Sequence, residues 1–132
     1  MQKDFTRDYA VEMLRLYARL GKPTYENLKK RMAEDNSIEY SKAEPLLLDI
    51  KAVDNAMRIL ERKNKSYVIA AVEAVYFACP NAPLRRNDVS YRVHRFSLSY
   101  PSSESAVWAW LKEARLLCAE QRGLRTLHAS LE

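Results

Sequence analysis

The side chains suited to chemistry gather late in the chain. They lie in the run Arg85-Arg86-Asn87-Asp88-Val89-Ser90-Tyr91-Arg92-Val93-His94-Arg95 and, after a short turn, in Ser103-Glu104-Ser105-Ala106-Val107-Trp108-Ala109-Trp110-Leu111-Lys112-Glu113-Ala114-Arg115. Guanidinium groups bond phosphate oxygens, whereas hydroxyl, amine and apolar groups sharing one helix face suit base edges. Two short helices joined by a tight connection, the second capped by Ser103, meet the physical requirement for a helix-turn-helix. With Val107, Leu111 and Ala114 turned inward, the outward face of the second helix holds Ser105, Trp108, Ala109, Lys112 and Arg115. Arg92 and Arg95 are expected to point outward from the first helix, with Arg85 and Arg86 at its start. Residues 82–125 carry eight Arg or Lys against four acids, whereas residues 1–81 carry fourteen against twelve. The positive field is therefore densest where the motif lies.

Other chemistries find less in the sequence. Two glycines, Gly21 and Gly123, cannot build a phosphate-cradling loop of the GxGxxG or GxxxxGK[ST] kind. Cys79, His94, Cys118 and His128 are spaced by 15, 24 and 10 residues, which fits no structural zinc pattern. No metal or cofactor is expected, and both cysteines are expected to be buried thiols. The acid pairs Asp49 with Asp54 and Glu34 with Asp35 read as solvated helix faces rather than an acid and a base. Ser102, Ser103 and Ser105 lack a histidine in a strand-turn-helix setting that would make one a nucleophile. The expectation is a binding protein and not an enzyme, with no small-molecule substrate.

The elements that must position this segment follow from apolar spacing. The chain has 132 residues, 48% hydrophobic and 30% charged, with a net charge of +5, the balance of an ordinary folded domain. It contains no apolar run of about 18 residues and no signal core behind Met1-Gln2-Lys3-Asp4, so no membrane partner is expected and the location is read as cytoplasmic. Residues 4–20 form an amphipathic helix with Tyr9, Met13, Leu16 and Leu20 on its stripe, Phe5 extending it and Ala10, Leu14 and Tyr17 widening it. Gly21-Lys22-Pro23 breaks it, and Thr24 caps a second helix carrying Tyr25, Leu28 and Met32. The aromatic residues Tyr9, Tyr17 and Tyr25 of this hairpin read as core.

Residues 35–44 are polar and read as a linker or a long frayed helix end, with Pro45 in the first turn of a helix that carries Leu46, Ile50, Val53, Met57 and Leu60. Residues 67–78, apolar except for Glu73, should be the central buried helix, stopped by Pro80 and Pro83. Asn87 or Asp88 should cap the next helix, which buries Val89, Val93 and Phe96, and Gly123 should end the last one. Trp108 and Trp110 are two positions apart and cannot share a face, so Trp110 is assigned to packing and Trp108 to the surface. The sum is an all-α fold of about six helices: an N-terminal hairpin and linker over 1–44, a helix-turn-helix domain over 45–127 built as a C-terminal tri-helical unit, and a tail at 128–132 whose Leu131-Glu132 reads as a cloning scar.

The run from Asp88 to Val93 followed by Ser103 to Arg115 resembles phage and prophage regulators of the ArpU/RinA type, whose helix-turn-helix is similar to region four of sigma factors. The resemblance covers roughly residues 45–125 and is strongest from 84 onward. It departs from the family pattern at Ala106, where a β-branched Thr is usual, and at Pro101, which replaces a turn glycine. The resemblance implies a sequence-specific DNA-binding regulator of phage gene transcription, with RNA polymerase a further partner. Its DNA-facing set would be Ser103, Ser105, Trp108, Ala109, Lys112 and Arg115, with Arg92 and Arg95 near the backbone. The Leu46–Leu60 stripe or the hairpin would serve a homodimer. Rival readings are a small terminase-like packaging component and a helical interaction module that presents its basic face to an acidic protein, with Trp108 at the centre.

Overall fold

The computed structural model describes residues 4–34 and 40–124. They form six α-helices and one π-helical segment, with no strand among them: α1 (Phe5–Arg19), α2 (Tyr25–Glu34), α3 (Tyr40–Arg62), α4 (Ser66–Val72) running into the π-helical Glu73–Phe77, α5 (Arg86–Ser99) and α6 (Glu104–Arg122). The protein is all-α, and no described helix is long and apolar enough to cross a membrane.

Local chemistry sets the helix ends. Asp4 Oδ1 accepts from Arg7 N–H at 2.9 Å, Thr24 Oγ1 from Asn27 N–H at 3.1 Å, and Ser103 Oγ from Ala106 N–H at 3.1 Å. Each satisfies one donor that a helix start leaves open, a contribution of about 1 kcal/mol. α1 closes through Gly21, at φ 85°, and Lys22 N–H reaches back to Tyr17 O at 2.9 Å. α6 ends at Gly123, φ 84°, where the left-handed conformation suits a residue without Cβ. The start of α5 differs from expectation. Arg85 is the N-cap residue, and Asp88, three positions on, accepts from the Arg85 N–H at 2.9 Å instead of capping with its own backbone.

One core joins the N-terminal hairpin to the rest. Met13, Leu14, Ile50, Leu60, Val68, Val93, Val107 and Leu111 are all buried within it. α6, rather than the 67–78 segment, is the central helix, packing on α1, α3, α4 and α5. The boundary expected at residue 44 falls inside α3, which begins at Tyr40 and takes Pro45 internally, where the missing N–H leaves one helical carbonyl without its donor. Residues 35–39 of the expected linker and the tail 128–132, with His128, lie outside the described residues.

The core side of α1 is centred on the widening edge of the expected stripe, and Phe5, expected to extend it, is exposed. Ala10, Met13, Leu14 and Tyr17 face the core, while Tyr9 lies at the edge and donates its hydroxyl to Asp49 Oδ1 at 2.7 Å. Arg122 Nε donates to the same oxygen at 2.7 Å, so Asp49 ties α1, α3 and α6 together. Asp54 is buried, accepting from Tyr25 N–H at 3.1 Å and pairing with Arg58 at 3.2 Å. Both carboxylates thus hold helices together, and the solvated face expected for them is corrected. Tyr25 is half-buried, with Lys51 Nζ 5.1 Å from its ring centre.

The 67–78 run becomes α-helix up to Val72 and π-helix thereafter, a wider turn that apolar spacing does not reveal. Its C-terminal carbonyls meet two arginines. Arg15, from α1, donates to Tyr76 O (2.8 Å), Ala78 O (2.9 Å), Cys79 O (3.0 Å) and Ala82 O, and Arg92, from α5, donates to Val75 O (2.7 Å) and Ala78 O (2.9 Å). Burial, and then the nearby Arg92 charge, lower the Arg15 pKa from its ordinary value.

Candidate nucleic-acid interface

α6 exposes one side along its N-terminal half. Val107, Leu111, Ala114 and Cys118 recur at spacings of four, three and four and are fully buried, which fixes the rotation of the helix. Ser105, Ala109 and Lys112, spaced by four and three, then face out together with Trp108, whose side is 41% exposed. Trp110 turns inward and packs edge-on to Tyr67 (4.9 Å between ring centres) and Tyr100 (6.1 Å), while Tyr100 stacks on Phe96 at 5.1 Å. These rings brace the connection between α5 and α6.

The structure separates the predicted residues into two groups. Arg85 and Arg86 are exposed at the start of α5, and Arg95 is exposed further along it, lying 5.8 Å from the Tyr91 ring centre. Ser103 is exposed with its oxygen engaged in capping. Ser105, Trp108, Ala109 and Lys112 form the outward face of α6. Arg92 and Arg115 do not join them. Arg92 is half-buried and folded back onto the Val75 and Ala78 carbonyls, because its position borders the Val89–Val93–Phe96 stripe and the adjacent helix end offers acceptors. Arg115, four residues beyond buried Leu111, lies on the side of α6 that faces the π-helical segment, where it donates to Tyr76 Oη at 2.9 Å. The outward direction expected for both arginines is corrected, and with it their place at a phosphate.

His94 Nδ1 lies 3.0 Å from Glu104 Oε1, an exposed pairing between α5 and the first turn of α6. On the other side of α6, Lys65 Nζ donates to Glu113 Oε2 at 2.7 Å, and this hydrogen bond raises the lysine pKa. Neither pairing was legible in the sequence, since each joins residues from different elements. Cys79 is exposed and left-handed (φ 50°), contrary to the expected burial, while Cys118 is buried and its thiol is pushed up to about 12 by desolvation. Such a thiol stays protonated and unreactive at neutral pH. No group of His, Cys, Asp and Glu among the described residues is arranged to hold a metal ion.

Fold and surface together define an all-α protein whose α6 offers a short exposed helix face and whose α5 carries exposed arginines. No protein-family model, curated protein or solved structure matches the chain.

Proposed function

We propose that the protein binds duplex DNA sequence-specifically through the outward face of α6, as a transcriptional regulator of phage or prophage genes. The observation that carries this reading is the grouping of Ser105, Trp108, Ala109 and Lys112 on one exposed face of a helix whose rotation is fixed by four fully buried residues. A helix held this way can enter a major groove with its side chains in a defined register. Lys112 donates to base acceptors, Ser105 donates or accepts, and Trp108 and Ala109 offer apolar contact to a thymine methyl. Arg85, Arg86 and Arg95 meet phosphates from the α5 side. The regulatory and phage context comes from the family resemblance of this segment. Every role in this scheme is one of binding, and none is catalytic.

Anisotropy of labelled duplex fragments from the protein's own genomic neighbourhood tests the reading. The three phosphates met from the α5 side alone give a slope of log K against log salt near −2.7, so affinity should fall at least about 40-fold between about 50 and 200 mM salt. An absence of duplex binding at about 50 mM salt would refute it and would favour the interaction module centred on Trp108.

A further inference from the structure

Glu104 and Glu113 are nine residues apart on α6, which at about 100° per residue places them on opposite flanks of the helix. Their partners identify what stands on each flank. Glu104 meets His94 of α5, and Glu113 meets Lys65 of the turn between α3 and α4. The outward face with Ser105, Trp108, Ala109 and Lys112 lies between them, so it is bordered by α5 on one side and by the α3–α4 turn on the other. On the second side a surface groove runs along α6, floored by Leu60, Leu116 and Leu117 and edged by Lys63, Lys112 and the carboxylates of Glu113 and Glu120, the first of which is held by Lys65. Lys63 is exposed, and its ammonium group has no hydrogen bond or ion pair among the described residues, unlike that of Lys65.

A major groove about 12 Å wide is bordered by a phosphate strand on each side. Arg85, Arg86 and Arg95 all belong to α5 or its cap and can serve one of those strands. We propose that Lys63 contacts a phosphate of the opposite strand, so that the duplex is held on both flanks of α6. The assignment rests on the DNA-binding reading above. Lys63 is a positioning contact: it fixes where α6 sits and reads no base.

The test compares full-length wild type, Lys63→Gln, Lys63→Arg and the distant surface control Lys30→Gln by anisotropy on the same duplex fragments across a salt series, with circular dichroism checking the fold. Lys63→Gln should weaken all fragments alike and make the salt slope shallower by about 0.9, the share of one phosphate. Lys63→Arg should restore the slope, and Lys30→Gln should leave it unchanged. Wild-type binding with an unaltered slope in Lys63→Gln would overturn the Lys63 assignment while leaving the DNA reading intact. A changed fragment ranking in Lys63→Gln would also overturn it, by making Lys63 a base reader. Failure of the wild type to bind any duplex would overturn both.

Discussion

Arg15→Ala is expected to lower the unfolding free energy by about 3 kcal/mol, the scale of taking a charged donor from carbonyls that it alone serves. The side chain is only 2% exposed, and its two terminal nitrogens serve four carbonyls, those of Tyr76, Ala78, Cys79 and Ala82. These are the last carbonyls of the π-helical segment and the start of the connection to α5. Alanine takes this donor from Tyr76 O and Ala82 O, while Ala78 O keeps Arg92 and Cys79 O keeps the Ala82 N–H at 3.1 Å. Arg92 retains bonds to Val75 O and Ala78 O and cannot reach the whole set. Arg15→Lys should recover only part of the loss, since an ammonium group has three donors and lacks the planar fork. Urea unfolding gives the answer: with m near 1–3 kcal/mol/M the midpoint should drop by more than about 1 M at unchanged slope. A loss below about 1 kcal/mol would mean that the arginine's bonds contribute little beyond what water supplies.

Lys112→Ala is expected to weaken binding to the preferred duplex by about 1–3 kcal/mol, or roughly 5- to 150-fold, and to narrow the gap between preferred and other fragments. The lysine stands at the centre of the outward face and has no partner within the protein to compete for it among the described residues. Arg115→Ala provides the contrast. Its guanidinium is committed to the Tyr76 hydroxyl, so the substitution should reduce stability and leave the fragment ranking in place. Equal losses of discrimination in the two variants would place the reading surface elsewhere on α6.

Much of the fold could be read from the sequence because its signals are local. The Ser103 cap, the Thr24 cap, the Gly21 and Gly123 stops and the 107–111–114–118 spacing each involve a few neighbouring residues, and each recurs in the structure. Trp108 and Trp110 part to opposite environments for the same reason. What local spacing misses is where polar side chains turn once helices pack. Arg92 and Arg115 are indistinguishable from Arg95 by type and charge, and only the acceptors on the π-helical segment decide that the first two fold inward. Arg15 lies between Leu14 and Leu16 and looks like part of a polar edge until α1 docks against residues 76–82. The expected division at residue 44 relied on composition, which a continuous helix through Pro45 overrides. Lys63 gave no sign of a role, since its position becomes meaningful only when the α3–α4 turn is seen beside α6.

The central claim, that the outward face of α6 meets DNA, is tested most directly by the solvent access of Trp108. Trp110→Phe removes the second indole while keeping an aromatic ring against Tyr67 and Tyr100, leaving Trp108 as the sole tryptophan. Acrylamide quenching of this variant, alone and saturated with its preferred duplex, should show an open indole that becomes shielded on binding. Unchanged quenching at saturating duplex would contradict the claim, because the DNA would then be held by some other surface.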